Sequence, residues 1–112
     1  MGQHAERVVR WDASARRFAP DKMQKVALFQ STGFFLDLYC LEPGQAQKPH
    51  AHAGSEKVYL VVEGSGRFQA GEGELRLEAG EAIRVAAGET HGVHNDTDRR
   101  LVVLTLMVPP PG

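Results

Sequence analysis

The chain has a single cysteine, Cys40, among its 112 residues, so no internal disulfide can form and a reducing compartment is expected. Cys40 stands in an apolar run, where a small packing residue is a better reading than a nucleophile. Net charge is also scarce: 13 Lys and Arg offset 14 Asp and Glu, leaving −1. The basic residues are scattered, which excludes an electrostatic footprint for nucleic acid. Asp96, Asp98, Arg99 and Arg100 form a short mixed-charge cluster, read as a solvated turn. No apolar run approaches the roughly 20 residues needed to span a bilayer. The N-terminus, MGQHAERVVRWDAS, lacks the apolar core of a secretory signal. No membrane partner and a cytoplasmic location are therefore expected. Neither a Ser/His/Asp or Cys/His arrangement with convincing context nor a phosphate-cradling glycine loop is present.

What is present is a series of short apolar segments punctuated by glycine. One domain of this length buries roughly 65% of its unfolded surface. Residues 1–22 read as a polar arm anchored by Val8, Val9, Trp11 and Phe18, with His4 in solvent. Val8–Trp11 could form an edge strand, and Ala19-Pro20-Asp21 a turn that opens a short helical turn. Strands are expected over Val26–Gln30, Phe34–Glu42, Lys57–Glu63, Arg67–Ala70, Glu74–Glu78, Glu81–Val85, the segment carrying His91, and Arg100–Val108. With no convincing amphipathic helix, residues 26–108 argue an all-β sandwich or barrel. Pro109–Pro111 cannot extend a ladder and blunt the sheet edge. Several strands are read as apolar on both faces: Phe34, Leu36, Leu38 and Cys40 oppose Phe35, Asp37, Tyr39 and Leu41. A second cover is needed for such strands, and a homodimer is the simplest one.

The chemistry concentrates in two stretches. In GQAQKPHAHAGSEKVYLVVEG, Gly44–Gly64, His50 and His52 lie two residues apart in an extended segment, so their side chains share a face. In GEAIRVAAGETHGVHN, Gly80–Asn95, alternation groups His91 with Val93 and Asn95 and turns His94 the other way. His50, His52 and His91 make a three-imidazole claw of the kind that holds zinc, nickel, iron or another divalent transition metal.

The spacing is specific. Gly44, five residues, His50-x-His52, four residues, Lys57, six residues and Gly64 are followed by Gly80, five residues, Ala86-x-Gly88, two residues, His91, three residues and Asn95. The two stretches resemble the paired motifs of the cupin superfamily, of the small single-domain, conserved-barrel type; the resemblance covers Gly44–Asn95 directly, and the flanking strands are compatible with it. The resemblance implies one domain over residues 1–112, with an N-terminal arm at 1–22 and a double-stranded β-helix, or jelly roll, barrel over 26–108. It implies a metal (zinc, nickel, iron or manganese) on His50, His52 and His91 and a small-molecule ligand in the barrel. Oxygenase, isomerase, decarboxylase or epimerase chemistry would be compatible with it.

This chain departs from the family at Ala86, where proline is usual, and at Lys57, where a metal-ligating glutamate is usual. Glu56 is one residue early and becomes a fourth ligand only if a bulge resets the register. If Lys57 instead points inward, its cation about 5 Å from a divalent ion is repelled by roughly 6–7 kcal/mol at an effective dielectric near 20. Such a lysine must be neutral, turn away, pair with Glu56, or weaken the metal. Tyr59 and Val61 would follow Lys57 on the inner face and line the pocket. Phe35, Tyr39 and Phe68 are further lining candidates, and Gln45 and Gln47 could bring amides to its mouth. Three readings follow: a three-histidine metal protein, a metal-free module that grips an anionic small molecule with its histidines and Lys57, and a lysine-dependent enzyme acting on a carbonyl.

Overall fold

Glycine-rich turns and alternating apolar residues produce nine strands in the computed structural model, which describes residues 7–111. His4 lies outside the described residues. The strands are β1 (Gln24–Gln30), β2 (Phe35–Leu41), β3 (Ala46–His50), β4 (Glu56–Glu63), β5 (Ser65–Ala70), β6 (Gly73–Glu78), β7 (Ala82–Val85), β8 (His91–His94) and β9 (Leu101–Val108). They form two antiparallel sheets, ordered β1-β2-β9-β4-β7 and β3-β8-β5-β6. The result is the all-β double-stranded β-helix expected from the sequence.

The core lies between the sheets. Leu41, Tyr59, Val61, Phe68, Val93 and Leu101 are among the buried residues that fill it. Gly64 is indispensable at the β4–β5 turn: its φ is +84°, and a Cβ there would collide with the Arg100 carbonyl. Pro49 sits in β3, which is tolerated because β3 is an edge strand.

The outer face of the five-stranded sheet is apolar as well, and the chain covers part of it. Ala15 and Phe18 pack over Leu38, Cys40 and Val102. The N-terminal segment differs from expectation in its form. Val8–Trp11 is not a strand; Val8, Val9 and Trp11 line one shallow pocket with Leu28, Phe29, Leu36 and Leu104 of the sheet face. Their apolar side chains border an apolar sheet face there, which pairing at a sheet edge would not provide. The helical turn falls at Ala13–Ala15 rather than after Pro20, because the Asp12 side chain caps it by accepting from the Ser14 N–H at 3.0 Å. Among the described residues no helix is long and apolar enough to cross a membrane.

Candidate metal centre

The centre is built where β3 and β8 meet. His50 ends β3, His91 begins β8, and the two are directly paired across the ladder. His52 lies two residues beyond the strand end, in a loop rather than on the strand, yet its ring stays beside the others. Its loop is tied to the second glycine-rich turn, since the Gly88 N–H donates to the His52 carbonyl at 3.0 Å. Ring centroids are 4.8 Å apart for His50 and His52, 4.4 Å for His50 and His91, and 5.6 Å for His52 and His91.

Backbone carbonyls orient two of the rings. His50 Nδ1 lies 2.9 Å from the Lys48 carbonyl, and His91 Nδ1 lies 3.3 Å from the Glu89 carbonyl. A carbonyl only accepts, so each Nδ1 carries its proton and each Nε2 keeps its lone pair. His91 is 2% exposed, and its Nε2 is buried without a hydrogen-bond partner among the described residues. Burial, aided by the Lys57 cation, holds the His91 pKa down at about 4, so its ring is neutral at physiological pH. Burial and then the neighbouring His50 lower that of His52.

A metal fits this donor set. One ligating atom from each histidine lies within 4.8 Å of the other two. Two bonds of about 2.1 Å span roughly 4 Å, so small rotations of the half-buried His50 and His52 close the set. An orphaned Nε2 in a buried site is the feature that an ion would satisfy.

The neighbouring strand decides between Glu56 and Lys57. Pairing of β4 with β9 is unbroken from Glu56 to Val61, so no bulge turns Glu56 inward. Its carboxylate is on the outer surface, 3.2 Å from Arg84 Nε, and does not join the histidines as a fourth ligand. Lys57 faces the interior and is 2% exposed. Its Nζ donates to Tyr39 Oη at 3.0 Å and lies 5.2 and 5.0 Å from the Tyr39 and Tyr59 ring centroids. Burial, joined by the nearby Lys25 and opposed by Asp37, pulls the Lys57 pKa down to about 7.

Comparison with known proteins adds the family. The profile of the cupin domain matches residues 37–108. The chain belongs to the cupin family. A relative of solved structure, TT1209 of Thermus thermophilus, is 40% identical, with 90% of this chain and 96% of that one covered at a TM-score of 0.87. A Klebsiella pneumoniae protein with a double-stranded β-helix domain is 18% identical at a TM-score of 0.85, covering 93% of this chain and 92% of its own. That likeness shows the fold alone. The tetracenomycin polyketide synthase protein TcmJ of Streptomyces glaucescens is 35% identical over 65 residues, 58% of this chain and 44% of TcmJ. The matched stretch thus spans less than half of that relative.

In this cupin His50 and His52 open onto a cavity of about 360 Å³ whose polar walls include Lys25, Gln30, Asp37, Gln47, Lys57 and Thr105. Of the lining candidates, Phe35 and Tyr39 border it, whereas Val61 and Phe68 are packed in the core. Its floor is a hydrogen-bonded chain: Tyr59 Oη donates to Gln47 Oε1 at 2.7 Å, and Gln47 Nε2 donates to Tyr39 Oη at 3.2 Å. Tyr39 thereby accepts from both Gln47 and Lys57. Burial raises the Tyr39 pKa to about 12 and raises that of Tyr59 too, so both phenols stay protonated. Tyr59 is fully buried and backs that floor, its ring 5.2 Å from that of Phe68 in the core.

Other candidates fall outside. Gln45 accepts from the Glu42 N–H at 2.8 Å and donates to the Ala19 carbonyl at 2.8 Å, so it fastens the arm. His94 lies on the outer side of the sheet, 3.0 Å from Arg67 Nη2. Cys40 is fully buried in the outer apolar cluster. Sequence reasoning did not single out Thr105, Lys25 or Gln30. Thr105 alternates with Val103 and Met107 along β9 and shares their inward face; that parity was its one available signal.

Proposed function

We propose that this chain is a small metal-binding cupin that holds a divalent transition ion (zinc, nickel, iron or manganese) on His50, His52 and His91. An ion held there would border the cavity that His50 and His52 line, where a small-molecule ligand would bind. The observation that carries this reading is the three-imidazole cluster, whose ligating atoms lie within 4.8 Å and whose His91 Nε2 is buried and unpartnered. A bound ion would supply Lewis acidity at its open positions. The chain's own residues do the rest. The Lys48 and Glu89 carbonyls fix the two tautomers, and Tyr59 and Phe68 keep water from the back of the site. Elemental analysis of protein purified without a histidine tag tests the reading. About one equivalent of metal in the parent, lost in His91→Ala, is expected; a metal-free parent that also takes up no added zinc or nickel would overturn it.

A second reading is favoured by one specific observation, the presence of Lys57 where a carboxylate would strengthen an ion's hold. In that reading the histidines and Lys57 bind an anionic small molecule with no metal. The same elemental analysis separates the two.

The outer sheet face supports a proposal about assembly. Val8 and Trp11 remain 68% and 51% exposed above Leu28, Phe29, Leu36 and Leu104. We propose that a second copy of the chain completes this cover in a homodimer.

A further inference from the structure

The cavity contains polar groups that neither the histidine cluster nor the fold accounts for. Thr105 is 2% exposed, and its Oγ1 is buried with no hydrogen-bond partner among the described residues. An orphaned hydroxyl in a core is a net loss unless a bound group satisfies it. Register places it close to Lys57: Thr105 pairs with Tyr59 and Met107 with Lys57, so Thr105 and Lys57 are diagonal neighbours across β4 and β9 on the inner face. Lys57 is equally short of partners. Of its three donors one is used, by Tyr39 Oη. Among the described residues no carboxylate forms an ion pair with it. Buried cations are ordinarily paired, so this arrangement lacks its anion.

The charges around the cavity say how much anion is missing. Lys25 and Asp37 bring one charge of each sign to the cavity, and Lys57, when protonated, adds one positive charge that no carboxylate among the described residues pairs with. A single ammonium beside a single hydroxyl offers two donor groups, which suits the two oxygens of one carboxylate. A phosphate group, with three oxygens and a higher charge, would call for more donors or a guanidinium fork. The volume, about 360 Å³, lies near the lower end of the roughly 300–1,000 Å³ range of small-molecule sites.

We propose that the cavity binds a small carboxylate-bearing molecule, whose carboxylate is received by Lys57 Nζ and Thr105 Oγ1 while its other end faces the three histidines. The position of that other end rests on the metal-binding reading; the carboxylate seat does not. Lys57 is then a binding residue in its own right.

The test measures metal and carboxylate separately. Zinc affinity is read by competition with a chromophoric chelator. Binding of acetate, malonate, succinate, malonamide and inorganic phosphate is read by calorimetry, on zinc-loaded and on chelator-treated protein. At least one carboxylate is expected to bind the parent. Lys57→Met should weaken it by about tenfold or more, and Thr105→Val by about three- to tenfold, as loss of a charged and of a neutral hydrogen bond predicts. Both variants should hold zinc at least as tightly as the parent. Neutral malonamide should not bind. The proposal is overturned if no carboxylate binds below about 10 mM, if neither substitution weakens binding, or if phosphate or malonamide binds as well as every carboxylate. Should zinc fail to bind while a carboxylate still binds through Lys57, the metal reading falls and this one stands.

Discussion

Replacing Lys57 by methionine should make the metal-free protein more stable, and the gain should depend on pH in a defined way. The ammonium is 2% exposed, and burial pulls its pKa from 10.5 to about 7. The folded state therefore binds fewer protons than the unfolded one between those values, and stability rises with pH across that window. The penalty is complete below the folded pKa and is relieved as pH climbs through the unfolded one. At 1.36 kcal/mol per pKa unit, Lys57 costs the fold about 4 kcal/mol at pH 7, about 2 at pH 9 and almost nothing by pH 10.5. Methionine has a similar length and no charge to desolvate. The substitution removes the Lys57–Tyr39 hydrogen bond, worth about 1 kcal/mol, but Tyr39 Oη keeps its bond from Gln47. A net gain of about 3 kcal/mol at pH 7 follows, or roughly 10 °C in melting temperature for a domain of this size. Urea unfolding of parent and variant, with chelator present, at pH 7, 9 and 10.5 measures the gap directly. A variant less stable than the parent at pH 7, or a gap that stays constant to pH 10.5, would refute the reasoning.

Four further outcomes are expected. Lys57→Glu should tighten zinc or nickel by well over tenfold, because an inward cation becomes an anionic ligand; unchanged affinity would mean that position 57 does not face the metal. Glu56→Gln should leave metal affinity unchanged, since that carboxylate pairs with Arg84 outside; metal release by Glu56→Gln would contradict the register of β4. Gly64→Ala should cost about 3 kcal/mol or more in urea unfolding, because a Cβ at φ +84° meets the Arg100 carbonyl; a loss within about 1 kcal/mol would count against the tightness of that turn. Light scattering at tens of micromolar should give a dimer near twice 12.3 kDa, and deletion of residues 1–18 should weaken it if the arm contributes to the cover; a monomeric parent would end the assembly proposal.

The features legible in the sequence were those carried by strand parity and turn chemistry. Parity put His91 with Val93 and Asn95 and sent His94 outward, and these placements hold. It also reduced the Glu56 question to whether β4 bulges, and continuous pairing from Glu56 to Val61 answers that. Parity says which face a side chain takes and nothing about what waits there. The apolar face of Leu38 and Cys40 was visible, but its nearest cover, Ala15 and Phe18, was not, because that contact depends on where a non-repetitive arm settles. Val8–Trp11 looks like an edge strand for the same reason: its residue types suit a strand, but an apolar sheet face competes for them.

Thr105 shows the limit most sharply. A threonine within LVVLTLMV is an ordinary strand residue, compatible with a hydroxyl bonded to a neighbour. Only the packed interior reveals that no protein group takes that hydroxyl, and that Lys57 beside it has no carboxylate. Unsatisfied polar groups are a property of the assembled core, invisible to any local pattern. Lys57 and Thr105 are therefore neighbours on one cavity wall that also carries His50 and His52. Polar groups left unsatisfied beside one cavity are what the proposed carboxylate seat requires, whereas the buried Arg16 Nε, which also lacks a partner among the described residues, stands alone in the N-terminal arm. A core shaped by folding alone would have placed methionine and valine there.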